Sequence, residues 1–270
     1  MKTFTVDSNT NLKDFTSAVY PQGAFALGTL LRGKDIKVNG ARVGANVPLK
    51  AGDSVVYYTT PKQEEKPSHE IRYEDENVYI ADKFSGVSSE GLLSELCRGG
   101  EFYAVHRLDR NTQGLIVFAK NRAAEAELLA AFKDRGVEKT YIALCKNKFI
   151  KGSGLLTAYL KKDASAALVK VFKRPAAGAV KIVTQYELIE NRGDVALVKI
   201  ILHTGKTHQI RAHLAFIGCP VLGDEKYGDG VLNKKYRLTR QCLIAKQLKF
   251  NLNDNLKYLN DIKFESSFKL

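Results

Sequence analysis

Apolar runs and stretches of alternating polarity predict that strands dominate this chain. The run Leu115 to Ala119 is bulky and branched, which predicts a strand buried on both faces. Alternating residues around Asn39-Gly40 predict a hairpin, because both turn residues tolerate positive φ. Further strands are predicted at 78–81, 138–145, 180–189 and 195–202. Residues 82–86 are expected to form a loop.

Helical periodicity occurs between these strands. The clearest helix begins after Asn121, a favourable N-cap residue, and ends at Gly136. Its inward face should consist of four apolar residues, Ala124, Leu128, Leu129 and Phe132. The inner face of a shorter helix should hold Ile210, Leu214 and Ile217. Strands and helices in this mixture indicate an α+β fold.

The first 60 residues form a segment with its own pattern. A short helix begins near Asn11 and is stopped by Pro21, and a second leads to Gly33. Residues 61–70 are mostly polar, carry two prolines and lack periodicity, as is typical of a linker. We therefore expect a small α/β domain at 1–60, a linker at 61–70 and a larger domain at 71–270.

The charge balance points to a polyanionic partner. Lysine and arginine outnumber aspartate and glutamate 42 to 29 over 270 residues, for a net charge of +13. The segment from Lys146 to Lys181 contains nine basic residues and a single acidic one, Asp163. Much of that segment, including 167–173, alternates like a strand with one basic, solvent-exposed face. A phosphate backbone is a natural ligand for such a face.

The cysteines and histidines do not predict a metal site. Four cysteines lack both disulfide and metal-ligand spacing, which suits free thiols in a reducing cytoplasm. His203, His208 and His213 are five residues apart, so on a helix successive rings would point about 140° apart. Neither a signal peptide nor an apolar run of membrane-spanning length is expected.

The segment His106 to Gly114 presents a carboxylate at the start of the buried strand. Asp109 has Arg107 and Arg110 as close neighbours. Loops held by rigid elements often carry reacting groups. From spacing alone, an ordinary turn that starts at Asp109 and ends at Gly114 is the simpler interpretation.

Two blocks near the N-terminus resemble the small RNA-binding module named after a ribosomal small-subunit protein. They are Leu30 to Gly40 and Leu49 to Asp53. The resemblance implies that four basic residues contact the RNA backbone: Arg32, Lys34, Lys37 and Arg42. A small cap domain with exposed charges is the alternative interpretation.

Several later blocks together resemble the RluA family of RNA pseudouridine synthases. They are His106 to Asp109 with Thr112 and Gly114, Lys139 to Ala143, His203 to Leu214, Gly218 to Pro220, Gly223-Asp224 and Tyr227-Gly228. The family's fold is a large mixed, mostly antiparallel sheet flanked by helices. Its reaction isomerises uridine in RNA to pseudouridine, and no cofactor is expected.

The resemblance also implies roles for individual residues. Asp109 is the nucleophile, Arg211 forms an ion pair with it, and Tyr141 stacks on the base and is a candidate for removing the C5 proton. We identify no second acid for catalysis in the matching blocks. Arg107 would fill the gap left by a flipped uridine or contact phosphate. The other expected substrate contacts are Leu108, Thr112, Lys206, His208, Gln209 and Leu243.

Three positions depart from the family pattern and put loop geometry and the RNA target in doubt. Phe84 replaces a proline, Gln113 a serine and Lys206 an arginine. We therefore expect a monomeric, cytoplasmic enzyme acting on ribosomal RNA, with transfer RNA as the second choice. The alternatives are a noncatalytic RNA-binding or ribosome-assembly factor and a metal-dependent nuclease, for which the sequence offers no acidic ligand cluster.

Overall fold

The computed structural model describes residues 1–19, 23–60, 67–163, 168–238 and 240–270. Its N-terminal part contains six strands and two helices. The strands are β1 (Lys2–Thr5), β2 (Thr10–Asn11), β3 (Ile36–Val38), β4 (Ala41–Arg42), β5 (Pro48–Leu49) and β6 (Ser54–Tyr57). The helices are α1 (Leu12–Val19) and α2 (Gly23–Gly33). Pro21, the expected end of α1, lies outside the described residues.

Four of these strands form a sheet in the order β1-β6-β3-β4. The predicted hairpin is confirmed: β3 and β4 pair antiparallel, and Asn39 and Gly40 have φ of 49° and 83°. A separate buried cluster between Val6 and Tyr57 gives this part its own core. The larger part of the chain contacts this N-terminal part through Arg98, whose Nη2 donates to Ser17 O of α1 at 3.4 Å. Residues 61–66 lie outside the described residues, and the three-part division stays a prediction.

The remaining strands form a mixed sheet of 11 strands among the described residues. They are β7 (His69–Glu74), β8 (Val78–Lys83), β9 (Tyr103–Ala104), β10 (Gln113–Ala119), β11 (Val137–Lys146), β12 (Ser153–Asp163), β13 (Leu168–Phe172), β14 (Val180–Arg192), β15 (Val195–Leu202), β16 (Leu243–Phe250) and β17 (Phe264–Glu265). The main path runs β13-β12-β14-β15-β11-β16-β10-β8-β7. Within it β10 and β16 run parallel and the other described pairs antiparallel, which confirms the mostly antiparallel α+β fold.

Helices cover both faces of this sheet. They are α3 (Ser89–Leu96), α4 (Arg122–Asp134), α5 (Gln209–Phe216), α6 (Gly230–Lys235) and a 3₁₀ helix (Lys257–Asp261). One core cluster joins the sheet to α3 and α5, and the other joins it to α4 and the 3₁₀ helix. Strand β10 lies between the two clusters and is buried from Gly114 to Ala119, as its apolar run predicts.

Two local expectations are wrong. Leu129 is 45% exposed, because the buried stripe of α4 runs through Ala124, Leu128 and Ala131 instead. The predicted loop at 82–86 begins two residues late: Asp82 and Lys83 belong to β8 and are fully buried. Polarity placed them in a loop, but tertiary hydrogen bonds hold both side chains inside the protein: Lys83 Nζ donates to Val87 O, and Asp82 Oδ2 accepts from Ser267 N.

Candidate active site

A cavity of about 680 Å³ opens beside the start of β10. That volume falls within the range of roughly 300–1,000 Å³ typical of ligand pockets. All ten residues expected to act in catalysis or substrate binding line it, namely Arg107, Leu108, Asp109, Thr112, Tyr141, Lys206, His208, Gln209, Arg211 and Leu243. The fold therefore brings together positions that are separated by up to 136 residues in the chain.

The loop that carries Asp109 is fastened through its neighbours. Thr112 N donates to Asp109 O at 3.1 Å, so the turn expected from spacing exists as well. Ser89 Oγ donates to Leu108 O at 2.9 Å and accepts from Leu108 N at 3.0 Å. Arg110 O accepts from Gly86 N at 2.9 Å and from the Lys83 ammonium at 3.1 Å. The backbone on both sides of Asp109 is thus held, while its side chain stays partly exposed to the cavity.

Gly114 allows this loop to approach β16 closely. Its φ is +112°, and a Cβ at this position would lie 2.3 Å from Ala245 O. Only glycine fits such a conformation and such a contact without strain. The backbone of Gly114 therefore sets where the loop leaves the sheet.

Arg211 joins Asp109 to a second carboxylate. Its Nη1 donates to Asp109 Oδ2 at 2.8 Å, and its Nε and Nη2 donate to the two oxygens of Asp224 at 2.6 and 3.0 Å. Arg211 is buried on α5, and these charge-assisted bonds raise its pKa despite the opposing effect of burial. The guanidinium is therefore a fixed cation: one edge binds Asp224, and the remaining nitrogen, Nη1, points at Asp109.

One of the matching blocks contains a second carboxylate, Asp224, but its contacts make it a partner of Arg211 and not an acid placed for catalysis. Asp224 is buried, and its Oδ1 also accepts from Lys226 N and Tyr227 N at 2.8 and 3.1 Å. Burial favours a raised pKa, but the hydrogen bonds and charge of Arg211 outweigh it and lower the pKa. Asp224 therefore orients Arg211, and it is not among the residues that line the cavity.

A histidine and a tyrosine complete the polar side of the site. His208 caps α5 in a left-handed conformation, with φ of 54°, and its Nε2 lies 4.0 Å from Asp109 Oδ2. Its Nδ1 is 2.9 Å from the Tyr227 hydroxyl, which accepts from Val169 N. Burial lowers the pKa of His208 more than the charge of Asp109 raises it. His208 is thus neutral at pH 7.

Gln209 is occupied inside the protein. Its Nε2 donates to Val183 O and Thr184 Oγ1, both at 3.1 Å, while its Oε1 accepts from Thr204 Oγ1 and Lys206 N. Because all its bonding positions are used, Gln209 shapes the 204–208 loop. Thr112 is likewise bonded internally, accepting from Gln241 Nε2 at 2.9 Å.

The opposite wall is apolar. Leu108, Tyr141 and Leu243 are buried and share one core cluster. Burial, aided by the charge of Asp109, raises the pKa of Tyr141 well above its usual value. The phenol is therefore neutral, and its ring offers a flat surface beside Asp109.

The basic residues expected to contact RNA lie in two regions. Arg107 lies at the cavity mouth, exposed, with Nη1 3.1 Å from Glu90 Oε1. In the N-terminal part Lys37 Nζ and Arg42 Cζ lie 5.6 and 5.5 Å from the centre of the Tyr58 ring. Arg42 also donates to Lys34 O at 2.6 Å, and Arg32 is exposed in the last turn of α2.

Lys83 is a structural component that sequence reasoning missed. Its side chain is fully buried and donates to the carbonyls of Phe84, Val87 and Arg110 at 3.2, 2.7 and 3.1 Å. Burial lowers its pKa to about 7 although the charge of Asp109 favours the ammonium. No local sequence signal marks such a residue. Asp224 and Tyr227, in contrast, lie within the family blocks, and the resemblance could have identified them as site residues.

The described residues contain neither a metal-binding cluster nor a membrane-spanning helix. Among them, no three histidine, cysteine or acidic side chains are grouped to hold a metal ion. None of the described helices has the length and apolar character needed to cross a membrane.

Comparisons with known proteins agree on one family. A family model described as RNA pseudouridylate synthase matches residues 89–216. Ribosomal large subunit pseudouridine synthase C of Rickettsia felis is 31% identical over 83% of this chain and 85% of its own length. The protein of that name from Vibrio parahaemolyticus is 30% identical over 85% of this chain and 81% of its own. The solved structure of human RNA Pseudouridylate Synthase Domain Containing 1 covers 68% of this chain and 79% of its own, with 26% identity and a TM-score of 0.59.

Proposed function

Because this chain belongs to the RNA pseudouridylate synthase family and is an isomerase acting on RNA, we propose that it converts uridines of large-subunit ribosomal RNA to pseudouridine. The ribosomal target is supported by the names of the relatives that it matches. The observation that carries the catalytic assignment is the ion pair of Asp109 with Arg211, 2.8 Å long, inside a cavity with an aromatic wall.

Asp109 is the proposed nucleophile. A carboxylate can capture the electron-deficient C1′ of ribose or add to the uracil ring, and Asp109 is partly exposed to the cavity. Elimination through a glycal is a third route that starts from the same carboxylate. Arg211 holds Asp109 in place, while Tyr141 and Leu243 contact the base from the apolar wall. The detached uracil is both leaving group and returning nucleophile, so no second catalytic acid is needed.

The remaining residues hold the substrate. Arg107 and Lys206 lie exposed at the cavity and are placed for RNA phosphate or for the gap left by the flipped uridine. His208 approaches Asp109 from the polar side. Leu108, Thr112 and Gln209 shape the walls. In the N-terminal part Arg32, Lys34, Lys37 and Arg42 bind the RNA backbone, a role supported by the basic side chains around the Tyr58 ring.

We place the enzyme in the cytoplasm as a monomer that needs no cofactor. The four cysteines, among them the exposed Cys97, are all unpaired, which suits a reducing compartment. Analytical ultracentrifugation of the whole chain tests the monomer, and a sedimentation coefficient of a dimer would refute it.

Tritium release from cellular RNA that carries 5-tritiated uridine tests the reaction. The natural sequence should release tritium, mainly from the ribosomal rather than the transfer RNA fraction. Asp109→Asn should release none while binding RNA with unchanged affinity, because the substitution preserves shape and removes the nucleophile. Turnover by Asp109→Asn would refute the assignment. Salt-sensitive RNA binding without release by either protein would favour the noncatalytic alternative.

A further inference from the structure

The cavity extends beyond the residues that the proposed reaction uses. Its lining also includes Phe132, Lys133 and Arg135 at the C-terminal end of α4 and Lys139 of β11. We call this part the outer lobe. The same cavity contains Asp109 and Tyr141, so a nucleotide that places its base beside them has neighbouring atoms close to the lobe.

Lys139 supplies a half-buried cation without an acidic partner. Its ammonium donates to Val137 O at 3.2 Å and lies 5.3 Å from the centre of the Phe132 ring. Burial lowers the pKa of Lys139. No carboxylate of the described residues forms an ion pair with it. A desolvated ammonium in this setting gains from an anion that enters the cavity.

Two further cations, Lys133 and Arg135, line the same cavity. Lys133 lies in the last turn of α4, and Arg135 caps that helix in the left-handed conformation with φ of 65°. Both are exposed, and the described chain shows no ion pair for either. The single acid in this part of the lining is Glu138, which is exposed. Three cations against one carboxylate favour a phosphate group.

The floor of the lobe is a neutral aromatic pair. The rings of His106 and Phe132 are stacked, with centroids 4.4 Å apart and planes 19° apart. His106 Nε2 accepts from Val117 N at 2.9 Å, and burial lowers the pKa of His106 to about 3. Because His106 is uncharged, the lysines and the arginine account for all the positive charge of the lobe.

We infer that the outer lobe binds the RNA backbone phosphate next to the target uridine through Lys139, Arg135 and Lys133. The inference rests on the proposed function, since it takes the base to lie beside Asp109. It assigns a substrate-positioning task to Lys133 and Arg135 at the end of α4, which lie outside the family blocks, and to Lys139 of β11, which lies within one of them.

Kinetics with two variants test the inference. Lys139→Gln removes the half-buried charge, and Arg135→Asn removes the second charge with a residue that tolerates the left-handed conformation. Lys257→Gln is the matched control, because Lys257 is exposed on the 3₁₀ helix and does not line the cavity. The substrate is large-subunit ribosomal RNA transcribed with 5-tritiated uridine, and circular dichroism melting checks that each variant folds.

Each lost phosphate contact should weaken the salt dependence in a defined way. The slope of log kcat/KM against log salt should become less negative by about 0.7 for Lys139→Gln, so the loss of kcat/KM should be roughly fivefold larger at 0.1 M than at 1 M salt. The loss should fall on KM rather than on kcat. Arg135→Asn should act in the same direction, and Lys257→Gln should match the natural sequence.

Two results would overturn the inference. One is a Lys139→Gln slope and KM equal to those of Lys257→Gln. The other is a loss confined to kcat, which would place Lys139 in the chemistry. A second experiment needs no turnover. It compares the affinity of a short oligouridylate for Asp109→Asn with its affinity for the double variant Asp109→Asn/Lys139→Gln over the same salt range. If the natural sequence releases no tritium, the proposed function fails, and this second experiment still decides whether the lobe binds phosphate.

Discussion

The substitution Asp224→Asn tests how the site holds its arginine. In the structure Asp224 Oδ1 accepts from Arg211 Nη2, Lys226 N and Tyr227 N, while Oδ2 accepts from Arg211 Nε at 2.6 Å. In Asp224→Asn, the side-chain oxygen would occupy the Oδ1 position, because that position accepts from three donors. Its amide would then point N–H groups at Arg211 Nε, so two donors would oppose each other.

The cost follows from these contacts. Removing one member of a buried ion pair costs about 3–5 kcal/mol of unfolding free energy, and we expect the lower end because Arg211 keeps Asp109 as a partner. A charge-assisted hydrogen bond such as that from Arg211 to Asp109 is worth roughly 1.5–3 kcal/mol. If the guanidinium rotates away from Asp109, kcat should fall by about 10- to 150-fold.

Urea unfolding and tritium release at saturating RNA measure the two effects. The control is Asp194→Asn, because Asp194 forms an exposed ion pair with Lys235, and such pairs contribute about 1 kcal/mol or less. The pKa of Asp224 is lowered when folded, so its contribution to stability is present above its usual value of 3.8 and is lost as the pH falls through the folded value. Full kcat in a destabilised Asp224→Asn protein would refute the orienting role.

Three further predictions concern the loop and the base-binding wall. Lys83 has a pKa of about 7 when folded and an ordinary value of 10.5 when unfolded, so the natural sequence should gain stability relative to Lys83→Met from pH 7 to 10. A difference in unfolding free energy between the two proteins that stays constant from pH 7 to 10, measured by urea unfolding, would contradict this. Gly114→Ala should destabilise by more than about 1–3 kcal/mol in thermal melts, since it adds a clash to positive φ, while Gly205→Ala, which meets open space, should be tolerated. Tyr141→Phe keeps the ring and removes the hydroxyl: a large fall in kcat with a C5 isotope effect would assign the proton transfer to the phenol, and near-normal kcat would restrict Tyr141 to stacking.

Elements with a strong local signal could be predicted from the sequence. Strand β10 follows from an apolar run that needs burial on both faces, and helix α4 begins at the predicted cap, where Asn121 accepts from Ala124 N. The inward face of α4 was misjudged at Leu129, because a stripe of helical period can shift by one residue at its edge without breaking the pattern.

Buried polar residues could not be predicted in this way. Lys83 is buried because Arg110, 27 residues later, offers it a carbonyl, and Asp82 because Ser267, 185 residues later, donates to it. Such partners are defined only once the chain has folded. The cavity residues were located through the family blocks, since composition and spacing alone favoured an ordinary turn at Asp109.

The charge layout of the site explains why a nucleotide would enter in one orientation. Asp109 and Arg211 line the cavity, and Asp224 is bonded to Arg211 behind it, so this part of the site sets two carboxylates against one guanidinium. The exposed lining, in contrast, includes the cations Arg107 and Lys206. A phosphate is attracted to that lining and repelled from the interior, whereas the neutral uracil ring can approach Asp109 without repulsion and gains contact with the apolar wall. The electrostatics thus favour the base inside and the backbone outside, which is the orientation that brings the base and the attached C1′ to the carboxylate.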